Sequence, residues 1–272
     1  MAGLRLIRIA RVHDRIPGLV HEGTNMTEPN PPRFDLKQIP AFLLHPRQGM
    51  ERLAAEEKPA WLTPMLVLSI LFLLRTIVSG YFQARASAMG QTAIPTDWQW
   101  WTPDMQNNYM QAIQATQGPV FVYIIPAVTG LAKLWLGWFI VGGLLHLAST
   151  LLGGRGSMRA VLNLAAWASL PFALRDLLRM VFMLIAQHPI ANPGLSGFGS
   201  MLFLSKMLAS MDVFLAWYAI LLVMGLRVTD NLPVRKAAAV VAIVLLLILL
   251  VQGGLGTLSA SLGGMMITRP FF

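Results

Sequence analysis

Seven ionisable side chains stand in stretches that are otherwise apolar: Arg75, Lys133, Arg175, Asp176, Arg179, Lys206 and Asp212. A charge at the centre of a hydrocarbon layer costs about 2.5–3.5 kcal/mol on insertion scales, so each needs a partner or a purpose. Spacing supplies partners. Arg175 and Arg179 are four apart and share a helical face, and Asp176 reaches Arg179 at three apart. Asp212 falls in the next apolar segment at similar depth, which makes it the natural partner for Arg175. Two chemistries are open. The group is net positive and suits an anionic headgroup or solute, or its long side chains pair and snorkel to the outer interface. His146 and Asn163 stand alone in apolar segments. The first is expected as a hydrogen-bonded packing histidine rather than a proton relay, the second as an interhelical hydrogen bond.

Nothing else in the chain reads as a catalytic set. There is no cysteine, which excludes disulfides, thiolate-bound zinc, iron–sulfur clusters and thiol catalysis. HExxH, a Walker loop and GxGxxG after a strand are all missing. Gly194-Leu195-Ser196-Gly197 matches the GxSG string of rhomboid proteases. It lies in a loop beside Pro193, and no histidine follows Ser196 to serve as its base. The 16 methionines are scattered through apolar segments and suit packing, not copper. No cofactor and no metal site are expected.

The elements that hold the charged residues follow from composition. Of 272 residues, 56% are apolar and 12% charged, against about 25% charged in soluble domains. Lipid must therefore replace water around much of the chain. Spans need about 20 apolar residues each, and five are expected: 61–81, 126–152, 160–186, 207–228 and 237–256. Pro126 and Gly130 divide the apolar run 120–152, and Pro171 bends the third span. Thr102-Pro103-Asp104 starts a short interfacial helix over 103–116, next to an aromatic cluster of Trp98, Trp100, Trp101 and Tyr109. The Gly/Ser-rich stretch 253–264 reads as a helix end or as close helix packing.

Nine of the 21 Lys/Arg residues precede Trp61. With a net charge of +9, nucleic acid is one conceivable partner, but a basic flank beside a span is what topology and acidic lipid headgroups select. Residues 1–34 read as a basic tail, with arginines 5, 8, 11 and 15 on one face of a surface helix. The plainer alternatives are a disordered tail or a true start at Met26. Residues 23–34 are a linker, and 35–60 form two short amphipathic helices split near Pro46, with Ile39, Phe42, Leu43 and Leu44 toward the membrane. Loop charge alternates: Arg155 and Arg159, then Arg227, Arg235 and Lys236, mark one side, while the other carries Arg85 and Arg269. The positive-inside rule then puts the N-terminus in the cytoplasm and the tail 257–272 outside. The seven span charges fall in the outer half, Arg75 roughly 21 Å from the inner end of its span.

Three features resemble the Yip domain family, membrane proteins of five spans named for interaction with Ypt/Rab GTPases. One is the proline-containing lead-in that ends at Trp61-Leu62-Thr63-Pro64. Another is the glycine-rich turn Gly153-Gly154-Arg155-Gly156-Ser157-Met158-Arg159, followed by a span holding Pro171. The last is Ala216-Trp217-Tyr218, Gly225-Leu226-Arg227 and Val234-Arg235-Lys236-Ala237. The resemblance covers about 35–256. It implies an all-α polytopic bundle at a membrane, the cell membrane for a bacterial-type member. It also implies action by binding, to membrane proteins, to lipid or to further copies of the chain. The competing class is a small transporter or channel. A transporter predicts internal repeats, and none is visible in the sequence.

Overall fold

The structure, a computed structural model, describes residues 36, 38–55, 60–89 and 98–268, with side chains through Ser261. The expectations for the tail 1–34 and for residues 269–272 lie outside the described residues. Backbone polar groups in hydrocarbon must be satisfied within their own segment, so long apolar runs are helical. Among the described residues the chain forms α1 (Gln38–Leu44), α2 (Pro46–Ala55), α3 (Leu62–Ala88), α4 (Pro103–Thr116), α5 (Ile125–Leu151), α6 (Met158–Ala168), α7 (Leu170–Ala186), α8 (Leu202–Leu208), α9 (Val213–Thr229) and α10 (Val234–Thr268), and no strand.

Three stretches are long and apolar enough to cross a membrane: Leu62–Ala88, Val120–Leu151 and Val234–Ser261. The pair α8 and α9, bent by 60° at its break, makes a fourth if it is counted as one crossing. The chain is thus an all-α multi-pass membrane protein. Two of the expected spans are not single helices. The third divides at Ser169 into α6 and α7. Pro171 has no N–H to give the preceding turn, and Ser169 closes α6 by donating its hydroxyl to Ala166 O at 2.6 Å. The 17 residues of α7 reach about 25 Å, short of a hydrocarbon core of about 30 Å. The fourth expected span breaks before Asp212, which caps α9.

Local signals account for several ends. Thr102 accepts from Met105 N at 3.3 Å and Pro103 fills the first turn of α4. Pro126 cannot donate, and the chain before it widens into a π-helical turn, Val120–Ile124, instead of breaking. Pro46 separates α1 from α2. One expectation fails here. Phe42, expected toward the membrane, packs on protein instead, with its ring 5.4 Å from that of Trp167, while Leu44 is 75% exposed. Of the two readings of the glycines after Gln252, close packing holds: α10 runs on through them, and a Cβ at Gly253 would lie 3.0 Å from Phe203 and one at Gly256 3.1 Å from the Lys206 stem. They let α8 lie against α10.

Contacts fix the directions of the helices. Helices α3 and α7 run parallel: Arg75 meets Asp176, and ten residues further along α3 Arg85 donates to Gln187 Oε1 at 2.9 Å. Helix α5 is antiparallel to α3, since Trp135 Nε1 bonds Ser69 Oγ at 3.2 Å while Tyr123 lies beside Gly80. Helix α9 is antiparallel to α6 and α7, pairing Gly225 with Leu164 and Tyr218 with Phe172. At Gly225 any side chain would collide with Leu164, so only glycine allows this approach. Helix α6 lies at the centre, with Val161 and all of 163–168 buried. Around it the core gathers Phe42, Met50, Leu145, Trp167, Leu222 and Val240. A second cluster joins Met65, Leu68, Ala166 and Ala173.

Candidate functional site

Helices α3, α7 and α9 bring five of the seven expected charges into one group. Arg75 Nε lies 3.4 Å from Asp176 Oδ1, and Arg175 Nε lies 3.8 Å from the same oxygen. Asp212 Oδ2 is 3.6 Å from Arg175 Nη1 and 3.3 Å from Arg179 Nη2. The five side chains are between 10% and 28% exposed. Three guanidinium groups against two carboxylates leave one positive charge in excess. The expected partner for Arg175 is Asp212, and the two are in contact. Asp176 was expected on Arg179. It faces Arg75 and Arg175 instead, because parallel packing brings Arg75 to its level while Arg179 turns to the head of α9.

Asp212 has two tasks, one per oxygen. Oδ1 accepts from Phe214 N at 3.1 Å and Leu215 N at 3.0 Å, closing the first turn of α9. Oδ2 serves the arginines. Nothing in the amide geometry of an apolar helix end would otherwise satisfy those two N–H groups. Aromatic faces support the cations: Arg75 sits 5.2 Å over Phe72, and Arg175 4.6 Å over Phe172. Arg75 Nε, Arg175 Nε and Asp176 Oδ1 are buried without a hydrogen bond of good geometry. On α3 the group stands 13 residues beyond Leu62, or about 20 Å along the axis.

The remaining expected residues are elsewhere. Lys133 is exposed on α5 and Lys206 is exposed on α8, its stem lying over Gly256. Neither joins the group. Asn163 is buried, but its Oδ1 accepts no hydrogen bond, and His146 Nδ1 is also without a partner. The interhelical bond expected of Asn163 is not formed at that oxygen, since α6 is enclosed by apolar neighbours. Tryptophans bridge helices instead: Trp138 Nε1 donates to Leu162 O at 2.9 Å, and Trp135 to Ser69. Trp61 stacks on Trp138 at 5.1 Å, close to where α3 begins.

A family model for the Yip1 domain matches residues 41–255. The chain belongs to the Yip1 domain family. No curated protein and no solved structure gave a match. The matched range runs from α1 into α10, so all five grouped charges fall inside the Yip1 domain. So does the glycine-rich turn that leads into α6. The structure gives that turn an unforeseen occupant. Asp230 is 1% exposed. Its Oδ1 accepts from Thr229 Oγ1 at 3.0 Å, its carbonyl accepts from Arg155 N at 3.3 Å, and Oδ2 is unpartnered. A Cβ at Gly156 would collide with the Asp230 carboxylate, which explains the glycine. At the same end, Lys236 Nζ donates to Leu152 O at 2.9 Å across the start of α10.

Proposed function

We propose that this Yip1 domain protein is a non-enzymatic, five-span scaffold that binds membrane proteins and acidic lipid, with its N-terminal segment in the cytoplasm. The fourth crossing is the broken pair α8 and α9, and the third is α6 followed by α7. The domain boundaries are those of the sequence: tail, juxtamembrane segment, five-span body over 61–256 and outer end. For a bacterial chain the location is the cell membrane. Trafficking roles follow from the family's name alone.

The observation that supports binding over transport is the closed layer below the charged group. Toward the start of α3 and α6 the rings of Phe172 and Tyr218 lie 5.0 Å apart, and Met65, Ala166 and Leu222 are fully buried. A permeation path needs a continuous run of polar groups through that layer, and among the described residues its buried polar side chains are Thr63, Ser69 and Asn163, set among apolar ones, with Ser69 bonded to Met65 O and Trp135. The grouped charges pair across α3, α7 and α9 and hold those helices together.

One observation favours the second reading, an outward cavity for an anionic solute. Broken helices commonly mark solute sites in transporters, and the break between α8 and α9 lies where Arg175 and Arg179 meet Asp212. Crosslinking in native membranes followed by purification separates the two. Recovery of a stable protein partner is expected. Anion flux in proteoliposomes that depends on Arg175 and Arg179 would overturn the scaffold. Topology has its own test, because the chain has no cysteine. A single cysteine at Ala55 should react from the cytoplasmic side and one at Ser200 from the other. Labelling of both from one side would refute the five-span order.

A further inference from the structure

We infer that a cleft between α1, α2 and Trp167 binds the phosphate headgroup of an acidic lipid. The cleft has a volume of about 250 Å³ and is lined by Gln38, Phe42, His45, Gln48, Arg52 and Trp167 among others. It rests on the proposed reading in taking acidic lipid as the ligand class and in placing α1 and α2 at the cytoplasmic leaflet.

Its construction begins with a glycine. A Cβ at Gly49 would lie 2.5 Å from the Phe42 ring, so glycine lets α2 fold back over α1. Phe42, 2% exposed, is held against Trp167 from the other side. These two rings make an apolar floor. Trp167 is 1% exposed and its Nε1–H has no hydrogen-bond partner. A buried donor left unpaired is costly, and indole nitrogen can only donate. An acceptor from outside would satisfy it.

The rim selects the acceptor. Arg52 and the side-chain amides of Gln38 and Gln48 line the same cleft, and among the described residues no carboxylate does. The acidic residue nearest in sequence, Glu51, is paired with Arg47 at 3.3 Å, and both line the other side of α2, toward the α9–α10 turn. One planar cation with neutral donors around it suits an oxygen-rich anion, phosphate above all. The apolar floor suits the acyl chains of a lipid, which inorganic phosphate and glycerol 3-phosphate lack. Position names the source. Trp167 adjoins Ala166, which clusters with Met65 in the first turn of α3, and Trp61 packs on that cluster. The cleft is therefore level with the start of an apolar crossing, where headgroups lie.

The test uses the full chain in dodecylmaltoside micelles, titrated with dihexanoyl phosphatidylglycerol and followed by native mass spectrometry. Saturable binding of one molecule is expected. Arg52→Gln should weaken it about twentyfold and Trp167→Phe about fivefold, the sizes of a charged and a neutral hydrogen bond. Arg47→Gln, on the other side of α2, should leave it unchanged. Arg52 is exposed, so its variant folds whatever happens at Trp167. Equal affinity of Arg52→Gln and the parent chain overturns the site. Equal binding of dihexanoyl phosphatidylcholine overturns the requirement for an acidic group. Glycerol 3-phosphate binding as tightly as the lipid overturns the lipid source. Cysteine labelling at Ala55 reports the leaflet independently, so a topological failure is not mistaken for a failed cleft.

Discussion

Asp212 Oδ2 lies 3.3 Å from Arg179 Nη2 while the other oxygen of the same carboxylate caps α9. One side chain thus starts a helix among apolar residues and pairs with a cation there. The two tasks can be separated by substitution. Asp212→Asn keeps an oxygen for the cap and loses the charge. Asp212→Ala loses both. The Ala variant should be less stable than the Asn variant by about 1 kcal/mol, the worth of a cap. Both should fall below the parent by about 2–4 kcal/mol, since two arginines then lack their carboxylate. Denaturation in lipid nanodiscs measures this, and equal stability of the three chains would refute the double role.

Arg75 and Asp176 join α3 to α7 at 3.4 Å with little exposure. A double-mutant cycle with Arg75→Gln and Asp176→Asn should give a coupling of about 0.5–3 kcal/mol. The same cycle with Arg179→Gln in place of Arg75→Gln should give less, because Arg179 is engaged with Asp212. The reverse order would show that the expected pair, Asp176 with Arg179, forms after all.

Gly225 meets the Leu164 side chain with no room for a Cβ. Gly225→Ala should destabilise the bundle by about 1–3 kcal/mol through overpacking. Adding Leu164→Ala should restore part of the loss by making room, even though Leu164→Ala alone costs about 2–5 kcal/mol as a cavity. Strictly additive losses in thermal denaturation would place the contact elsewhere.

Trp138 Nε1 donates to Leu162 O at 2.9 Å, joining α5 to α6. Trp138→Phe keeps most of the ring and should cost about 1 kcal/mol, one net hydrogen bond. Hydrogen exchange should rise around Leu162 and the beginning of α6. Unchanged protection there would mean that the indole contributes packing alone.

The sequence made visible those features whose cause is local. Thr102-Pro103 began α4, and Pro46 divided α1 from α2, because a cap and a missing N–H act within one turn. Contact between Arg175 and Asp212 was foreseeable from depth. The break at Asp212 was not, since no proline or glycine stands in Leu208–Phe214 and an acidic residue between apolar ones looks like a charge within a continuous span. That the carboxylate caps a helix depends on the bend itself. Arg75 with Asp176 required knowing that α3 and α7 are neighbours and run the same way. Gly253 and Gly256 were ambiguous for a related reason: whether glycine ends a helix or admits another is decided by what packs there. Asp230 was hidden because its burial comes from a turn 70 to 80 residues away along the chain.

Arg85 is ten residues beyond Arg75, and Gln187 eleven beyond Asp176, so two crossbars tie α3 to α7 at nearly equal intervals. A slip of one turn would shift each partner by about 5.4 Å and disengage both bonds at once. These two rods are locked against axial sliding as a ladder is by its rungs. Any large rearrangement must carry them as a unit, with α9, fastened to α7 at its head through Asp212, moving relative to them only by giving up that carboxylate's grip.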